Sequence, residues 1–140
     1  MPAGLTEAAS SATITSTTAG SITLGLDINA NFSRLKTLIE ATAVGGEILI
    51  PSSSGVIPFL VMFDRINVPQ DVHVNLPGMI AKPDAPGAAN REFVFNNGGQ
   101  ISSMGFDRCG IEWDPNTDGT GLMAPSILCT GGTLTLSVSR

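Results

Sequence analysis

Residues 27–80 constrain the fold most, because one helical segment is followed there by apolar runs too short for another helix. Four apolar residues recur at helical spacing: Phe32, Leu35, Leu38 and Ile39. Polar residues fall between them, and this pattern predicts a helix with a single apolar face over about residues 29–43. The runs that follow, EILIP, FLVMF and VHVNL, have strand length and are separated by turn residues. This order of elements predicts a mainly β chain.

Residues that start and stop helices flank the predicted helix. Asp27 or Asn29 can cap its first turn, because a side-chain oxygen accepts a hydrogen bond from a free backbone N–H group. Gly45 and Gly46 can end it, since glycine adopts the left-handed conformation that closes many helices. We therefore expect the helix to cap one end of the β core.

The first 26 residues differ in composition from the rest of the chain. Ten of the first 25 are Ser or Thr, and no Lys or Arg precedes Arg34. A segment with so little apolar surface gains little by packing, so it is expected to be extended. The sequence thus predicts an N-terminal arm over residues 1–26 and a single β-rich domain over residues 27–140.

Two alternating patterns near the chain ends indicate strands that can join other subunits. Ile22, Leu24 and Leu26 alternate with Thr23 and Gly25 inside the predicted arm, and Leu134, Leu136 and Val138 alternate with polar residues near the C-terminus. A strand at a sheet edge leaves backbone groups that pair readily with another chain. Together with the apolar face of the helix, these residues are the predicted core and assembly positions.

Composition excludes several classes of partner. A net charge of -5, with seven Lys and Arg and no basic run, disfavours binding to nucleic acid. No apolar stretch approaches the roughly 20 residues of a membrane span, so no membrane partner is predicted. The N-terminus lacks the features of a secretory signal, which favours synthesis in a cytoplasm. The two cysteines, Cys109 and Cys129, are too few for a disulfide scaffold and are expected to be free thiols.

One segment has the beginning of a calcium loop. Asp114, Asn116 and Asp118 occupy the first, third and fifth positions, and Gly119 occupies the sixth. The twelfth position should be a bidentate Glu, but it is Pro125. The pattern therefore favours an Asx-rich turn, with metal binding as the lesser alternative. No metal or other cofactor is predicted.

Carboxylates cluster near this segment, and paired carboxylates are what glycoside hydrolysis requires. The cluster comprises Asp107, Glu112, Asp114 and Asp118. Sugar sites usually add aromatic platforms, whereas this chain has no Tyr and a single Trp, Trp113. In a strand, Glu112 and its neighbour Trp113 would point to opposite faces. The cluster is therefore not predicted to be catalytic.

His73 is the single histidine, so a Ser-His-Asp or Cys-His site would have to include it. In the run VHVNL, Val72 and Val74 share one face and His73 lies on the other. A histidine at the surface or at a subunit interface is the favoured interpretation. The sequence predicts no catalytic residues and a protein that is not an enzyme.

Three stretches resemble the entry of pectate-lyase-like right-handed β-helices of the phage tailspike type: NFSRL at 31–35, GGEILIP at 45–51 and INVPQDVHVNLPG at 66–78. In that family an amphipathic helix caps the first coil, and similar Gly-Gly and Val-Pro phrases begin the next coils. The resemblance implies a short β-helix-like domain, or β-solenoid, with one N-terminal capping helix. The catalytic carboxylates of the family lie on later coils, so the resemblance assigns no activity to this chain.

The favoured function is that of a structural phage virion protein. The implied fold, a length too short for a full depolymerase and the lack of a reactive cluster favour a capsid decoration or cement protein. It would form a homotrimer on the capsid surface and bridge subunits of the major capsid protein.

Two other functions stay open. One is an adaptor or host-glycan-binding module of a tailspike or tail fibre, although no residue here specifically supports glycan binding. The other, less favoured, is a truncated polysaccharide-degrading enzyme. A decoration protein should be present in hundreds of copies per particle, whereas a fibre protein should be scarce.

Overall fold

The computed structural model describes residues 11–50, 59–85, 88–96, 98–113 and 127–136. Within these residues the chain forms one helix and ten strands. In chain order they are β1 (Ala12–Ser16), β2 (Gly20–Leu24), α1 (Ile28–Glu40), β3 (Glu47–Leu49), β4 (Phe59–Met62), β5 (Ile66–Val68), β6 (His73–Asn75), β7 (Ile80–Pro83), β8 (Glu92–Phe95), β9 (Gln100–Trp113) and β10 (Ile127–Leu136).

The long strand β9 joins short ladders into one ten-stranded sheet. Along its length β9 pairs in parallel with β6, then β7, then β8. Those three strands pair in turn with β3, β4 and β5, also in parallel. Antiparallel pairs occur at the two ends of the described chain, where β1 pairs with β2 and β3, and β10 pairs with β9. The sheet is therefore mixed, and β2 lies at one of its edges.

The prediction of a right-handed β-helix, and with it the resemblance to pectate-lyase-like tailspikes, is wrong. The described strands form a mixed sheet that is neither closed nor solenoid-like, although a mainly β chain with one helix is correct. The physical reason is that turn residues and apolar runs specify where short strands begin and end. They do not specify which strands pair, which depends on contacts between residues far apart in sequence.

Within the predicted extended arm, residues 12–24 form the antiparallel β1–β2 hairpin. Ile14 and Leu24 are fully buried on one face of this hairpin. Its hydroxyl groups bond across the strands, as between Thr15 Oγ1 and Ser21 Oγ at 2.9 Å. Threonine favours strands because it is β-branched, so a Ser- and Thr-rich composition is compatible with a sheet. Residues 1–10 lie outside the described part of the chain.

Helix α1 packs its apolar face on the sheet. The side chains of Leu35 and Ile39 are fully buried, and the ring of Phe32 meets that of Phe63 edge to face at 5.8 Å between centroids. Asp27 caps the helix, with Oδ1 accepting from the backbone N–H groups of Asn29 and Ala30. The apolar core continues across the sheet: Ile48, Leu60, Met62, Ile66, Val68, Val72, Val74, Leu76, Met79, Ala81, Phe93, Phe95, Ile101 and Met104.

The helix ends at Glu40, earlier than the predicted end at residue 43. Thr42 is buried just beyond it, where Oγ1 donates to the carbonyl of Leu38 at 2.8 Å and contacts Ser16 Oγ at 2.8 Å. Gly45 has a φ of 86° in the turn that follows. A hydrogen bond to a residue on β1 thus lies at the end of the helix, and a local pattern of glycines could not reveal it.

Replacing Ser16 with alanine should lower the free energy of unfolding by about 1–3 kcal/mol, the usual cost of leaving buried polar groups without partners. Ser16 Oγ accepts from the backbone N–H groups of Thr18 and Ala19 and bonds to Thr42. Urea unfolding measures the change. Ser33→Ala, on the exposed face of α1, should stay within about 0.5 kcal/mol of the original protein. Equal midpoints for the two variants would contradict the proposed role of Ser16.

Candidate functional site

The candidate metal ligands lie outside the described residues, and the carboxylate cluster lies partly outside them. Asp114, Asn116 and Asp118 lie outside the described residues, and Asp107 and Glu112 are on β9. Among the residues that the structure describes, no group of three His, Cys, Asp or Glu side chains is arranged to hold a metal ion. The described residues contain one helix, α1, and this helix is too short and too polar to span a bilayer.

The predicted core and assembly residues differ in where they lie. Those of the helix face and Leu24 pack inside this chain: Phe32, Leu35, Leu38, Ile39 and Leu24. Ile22, on β2, is only partly buried. Leu134 and Leu136 lie on β10, where their backbones pair with Met104 and Ile101 of β9. Val138 lies outside the described residues.

His73 lies in a line of polar groups on one sheet face. Its Nε2 is 2.7 Å from Ser102 Oγ, and its Nδ1 is 3.8 Å from Glu47 Oε2. The three residues come from the neighbouring parallel strands β3, β6 and β9. A carboxylate, an imidazole and a hydroxyl in this order have the composition of a hydrolase triad.

Two features weigh against hydrolysis at this line. The distance from His73 to Glu47 exceeds a hydrogen bond, and the side chains are 32% and 49% exposed, so water competes for both groups. A serine nucleophile also needs backbone donors for the oxyanion. Two backbone N–H groups of these strands are already used within the sheet. The N–H of His73 donates to the carbonyl of Gly46, and the N–H of Gln100 donates to the carbonyl of Val72. We therefore interpret the His73–Ser102 contact as a part-buried hydrogen bond between neighbouring strands of the sheet.

A groove between β2 and α1 is the better candidate. It has a volume of about 300 Å³ and is lined by small, apolar and hydroxyl side chains together with one charged residue: Ala19, Ser21, Ile22, Ser33, Arg34, Thr37, Leu38 and Ala41. This volume is at the lower end of the roughly 300–1,000 Å³ of small-ligand pockets. We call it the β2 groove. Its size suits a short stretch of chain.

The outer edge of β2 borders the groove. The carbonyl of Thr23 accepts a hydrogen bond from Arg34 Nη1 at 3.0 Å, so it points away from β1 and towards the helix. Backbone groups in an antiparallel pair alternate in direction, so those of Ser21 point the same way as those of Thr23. The β2 edge therefore presents backbone donors and acceptors beside an apolar floor.

Arg34 is the charged residue of this groove. Other described cations have partners elsewhere: Lys36 pairs with Glu40, Arg65 with Glu92 and Arg91 with Asp84, and Lys82 lies over the ring of Phe59. The hydrogen bond from Arg91 lowers the pKa of the Asp84 carboxyl, and in return raises the pKa of Arg91. Arg34 makes no ion pair with a carboxylate of the described residues.

Exposed apolar side chains lie at both ends of β2. Leu26 is 84% exposed and Ile28 is 47% exposed in the connection that leads into α1. Asn31 holds this connection, because its side chain donates to the carbonyl of Gly25 and accepts from the Gly25 N–H, at 2.8 and 2.7 Å. Val44, 64% exposed, follows the helix near the β1–β2 turn. The surface along β2 therefore combines an open strand edge with exposed apolar groups.

The sequence pattern predicted strand β2 but not the groove beside it. The alternation of Ile22 and Leu24 indicated a strand able to join another chain, but Arg34 was expected only to be one of the polar residues of the helix. Its spacing on the helix could have placed it opposite the buried face. The contact with Thr23 requires the tertiary structure.

No family model, curated protein or solved structure matches this chain.

Proposed function

We propose that the protein is a non-enzymatic structural protein that binds other protein subunits through the β2 edge and the groove beside it. One observation carries this proposal: an edge strand with outward-facing backbone groups lies next to an apolar groove and the exposed Leu26. Edge strands that stay available favour pairing with another chain, and native proteins usually block them.

The assembly that we propose is the shell of a phage virion, on which the protein would act as a decoration or cement protein. The β-helix resemblance no longer supports this setting, since the fold overturns it. The remaining support for this setting is the surface along β2, which suits protein partners, and the net charge of -5, which disfavours nucleic acid. Under this proposal the protein is made in the host cytoplasm, forms a homotrimer and bridges major capsid subunits. The tail-fibre and glycan-binding alternatives gain no support from the described contacts.

The test compares virions of the phage that encodes this chain with virions that lack it. We expect hundreds of copies per particle by quantitative mass spectrometry, and heat-induced genome release at a lower temperature in the deletion. A protein that binds only the assembled shell must stabilise it, to an extent set by its concentration and affinity. Unchanged rupture, or release of sugar from host capsule by the purified protein, would contradict the proposal.

Leu26→Asp should strongly reduce incorporation into particles while leaving the fold intact. Leu26 is 84% exposed, so the substitution removes apolar contact area without opening the core. The matched control is Ala89→Asp, which adds the same charge at an exposed position in the turn before β8. Incorporation is measured by the copy number in particles reconstituted with each purified variant. Equal copy numbers for the two variants would exclude this end of β2 as the binding surface.

A further inference from the structure

We infer that the β2 groove binds an extended, acidic segment of a partner protein, which adds to β2 as a strand and places a carboxylate on Arg34. The inference rests on the proposed function and specifies the partner at that surface. Its occupant is defined by chemistry: an extended backbone, small or apolar side chains and one carboxylate.

The positive charge in the groove favours an acidic occupant. Arg34 is the one charged residue among those lining the groove, and its guanidinium uses Nη1 for the carbonyl of Thr23. Guanidinium has five N–H donors arranged in a fork that matches a carboxylate, so donors stay for a ligand. The chain as a whole has a net charge of -5, so the positive charge of Arg34 is a local feature of the groove. A segment bearing Lys or Arg would meet an unfavourable charge at this position.

The backbone geometry of the β2 edge favours an extended occupant. Ser21 and Thr23 direct their backbone groups to the groove, two residues apart, which is the spacing that an added strand requires. Ile22 lies between them and lines the groove with Leu38. An added strand therefore hydrogen-bonds to β2 while its apolar side chains contact Ile22 and Leu38. A helix in the same place would leave the edge groups of β2 without partners.

The experiment titrates the full chain with a capped peptide of alternating threonine and valine that has one central glutamate. Matched peptides have lysine or glutamine at the centre. We expect the glutamate peptide to bind about tenfold more tightly than the lysine peptide, because a charge-assisted hydrogen bond contributes about that factor. Binding should shift the backbone N–H resonances of Ser21 and Thr23 in ¹⁵N NMR spectra.

Three variants test the role of Arg34. Arg34→Glu should remove the preference for the glutamate peptide, and Arg34→Lys should keep most of it. Lys82→Glu makes the same change in net charge on β7, away from the groove, and should leave the preference unchanged. Thermal unfolding of each variant checks the fold. Equal affinities for the glutamate and lysine peptides, or resonance shifts at another sheet edge, would overturn the inference.

The remaining outcomes identify a different occupant or separate this inference from the proposed function. Glu7 is the one acidic residue among residues 1–26. If Glu7→Gln alone shifts the Ser21 and Thr23 resonances, the N-terminal residues of this chain occupy the groove and the inference is wrong. Concentration-dependent association that Arg34→Glu abolishes would assign the groove to a second copy and would also overturn it. If the Arg34→Glu variant still enters particles at the original copy number, the inference is refuted and the proposed function stands. Absence of the original protein from particles would refute the proposed function itself.

Discussion

Replacing Leu35 with aspartate should unfold the protein. Leu35 is fully buried in the middle of the α1 face that packs on the sheet. Truncation of a buried leucine costs about 2–5 kcal/mol, and an unpaired buried carboxylate adds several kcal/mol more. These costs approach or exceed the roughly 5–15 kcal/mol by which a domain of this size is stable. Loss of the far-UV circular dichroism of the native state and collapse of NMR dispersion would show the effect.

The matched control is Ser33→Asp, which places the same charge on the exposed face of the same helix. It should change the free energy of unfolding by no more than about 0.5 kcal/mol. Lys36 is not a suitable control, because its Nζ bonds both Glu40 Oε2 and the carbonyl of Arg65, at 2.7 and 2.6 Å. A folded Leu35→Asp protein with the original melting temperature would show that this helix face does not form the core.

Gly98→Ala should also destabilise the protein, by about 1–3 kcal/mol. Gly98 has a φ of 81°, which alanine adopts only with strain, and a Cβ at this position would overlap the carboxylate of Asp71. The turns that contain these two residues are stacked. Backbone bonds hold them together, from the N–H of Asn96 to the carbonyl of Val68 and from that of Gln100 to Val72. Chemical denaturation measures the loss.

A double-mutant cycle separates the two causes. Asp71→Gly removes the carboxylate, so the double variant should recover the part of the loss that is due to overlap and keep the part due to strain. Gly25→Ala is the control, since its Cβ would meet no heavy atom within 4 Å and no positive φ is involved. If Gly98→Ala is as stable as Gly25→Ala, or if the cycle shows no coupling, the predicted strain and overlap at Gly98 are wrong.

Much of the local structure could be predicted from the sequence. The helix and its cap at Asp27 follow from spacing and side-chain chemistry, and the burial of Val72 and Val74 opposite His73 follows from alternation. These features depend on residues within a few positions of one another. Local geometry favours them without reference to distant contacts.

The pairing of strands could not be predicted in the same way. Phrases such as GGEILIP fit the start of a β-helix coil, but β3 also accepts the antiparallel partner β1. The Ser- and Thr-rich segment before the helix was expected to be an arm because its composition offers little to bury. Its few apolar residues, Ile14 and Leu24 among them, are enough to place a hairpin in the sheet. A pattern of apolar residues shows that a face is buried, and does not show what covers it.

The candidate site depends still more on distant contacts. Arg34 reaches Thr23 across 11 positions of sequence, and Asn31 holds Gly25 across 6. Neither residue differs in the sequence from any other polar residue on a helix. Their roles appear only when the helix lies beside the edge of β2. The groove exists because this packing leaves space between the helix and the strand.

The sequence by itself determined the class of the chain, the position of its helix and the places where strands begin. Helical periodicity, strand alternation and turn residues act over a few positions, so they are legible in a single sequence. Tertiary structure alone decided which strands pair, where the helix ends and which edge stays open. Those outcomes depend on the free energies of contacts such as Ser16 with Thr42, between residues 26 positions apart, which no local pattern encodes.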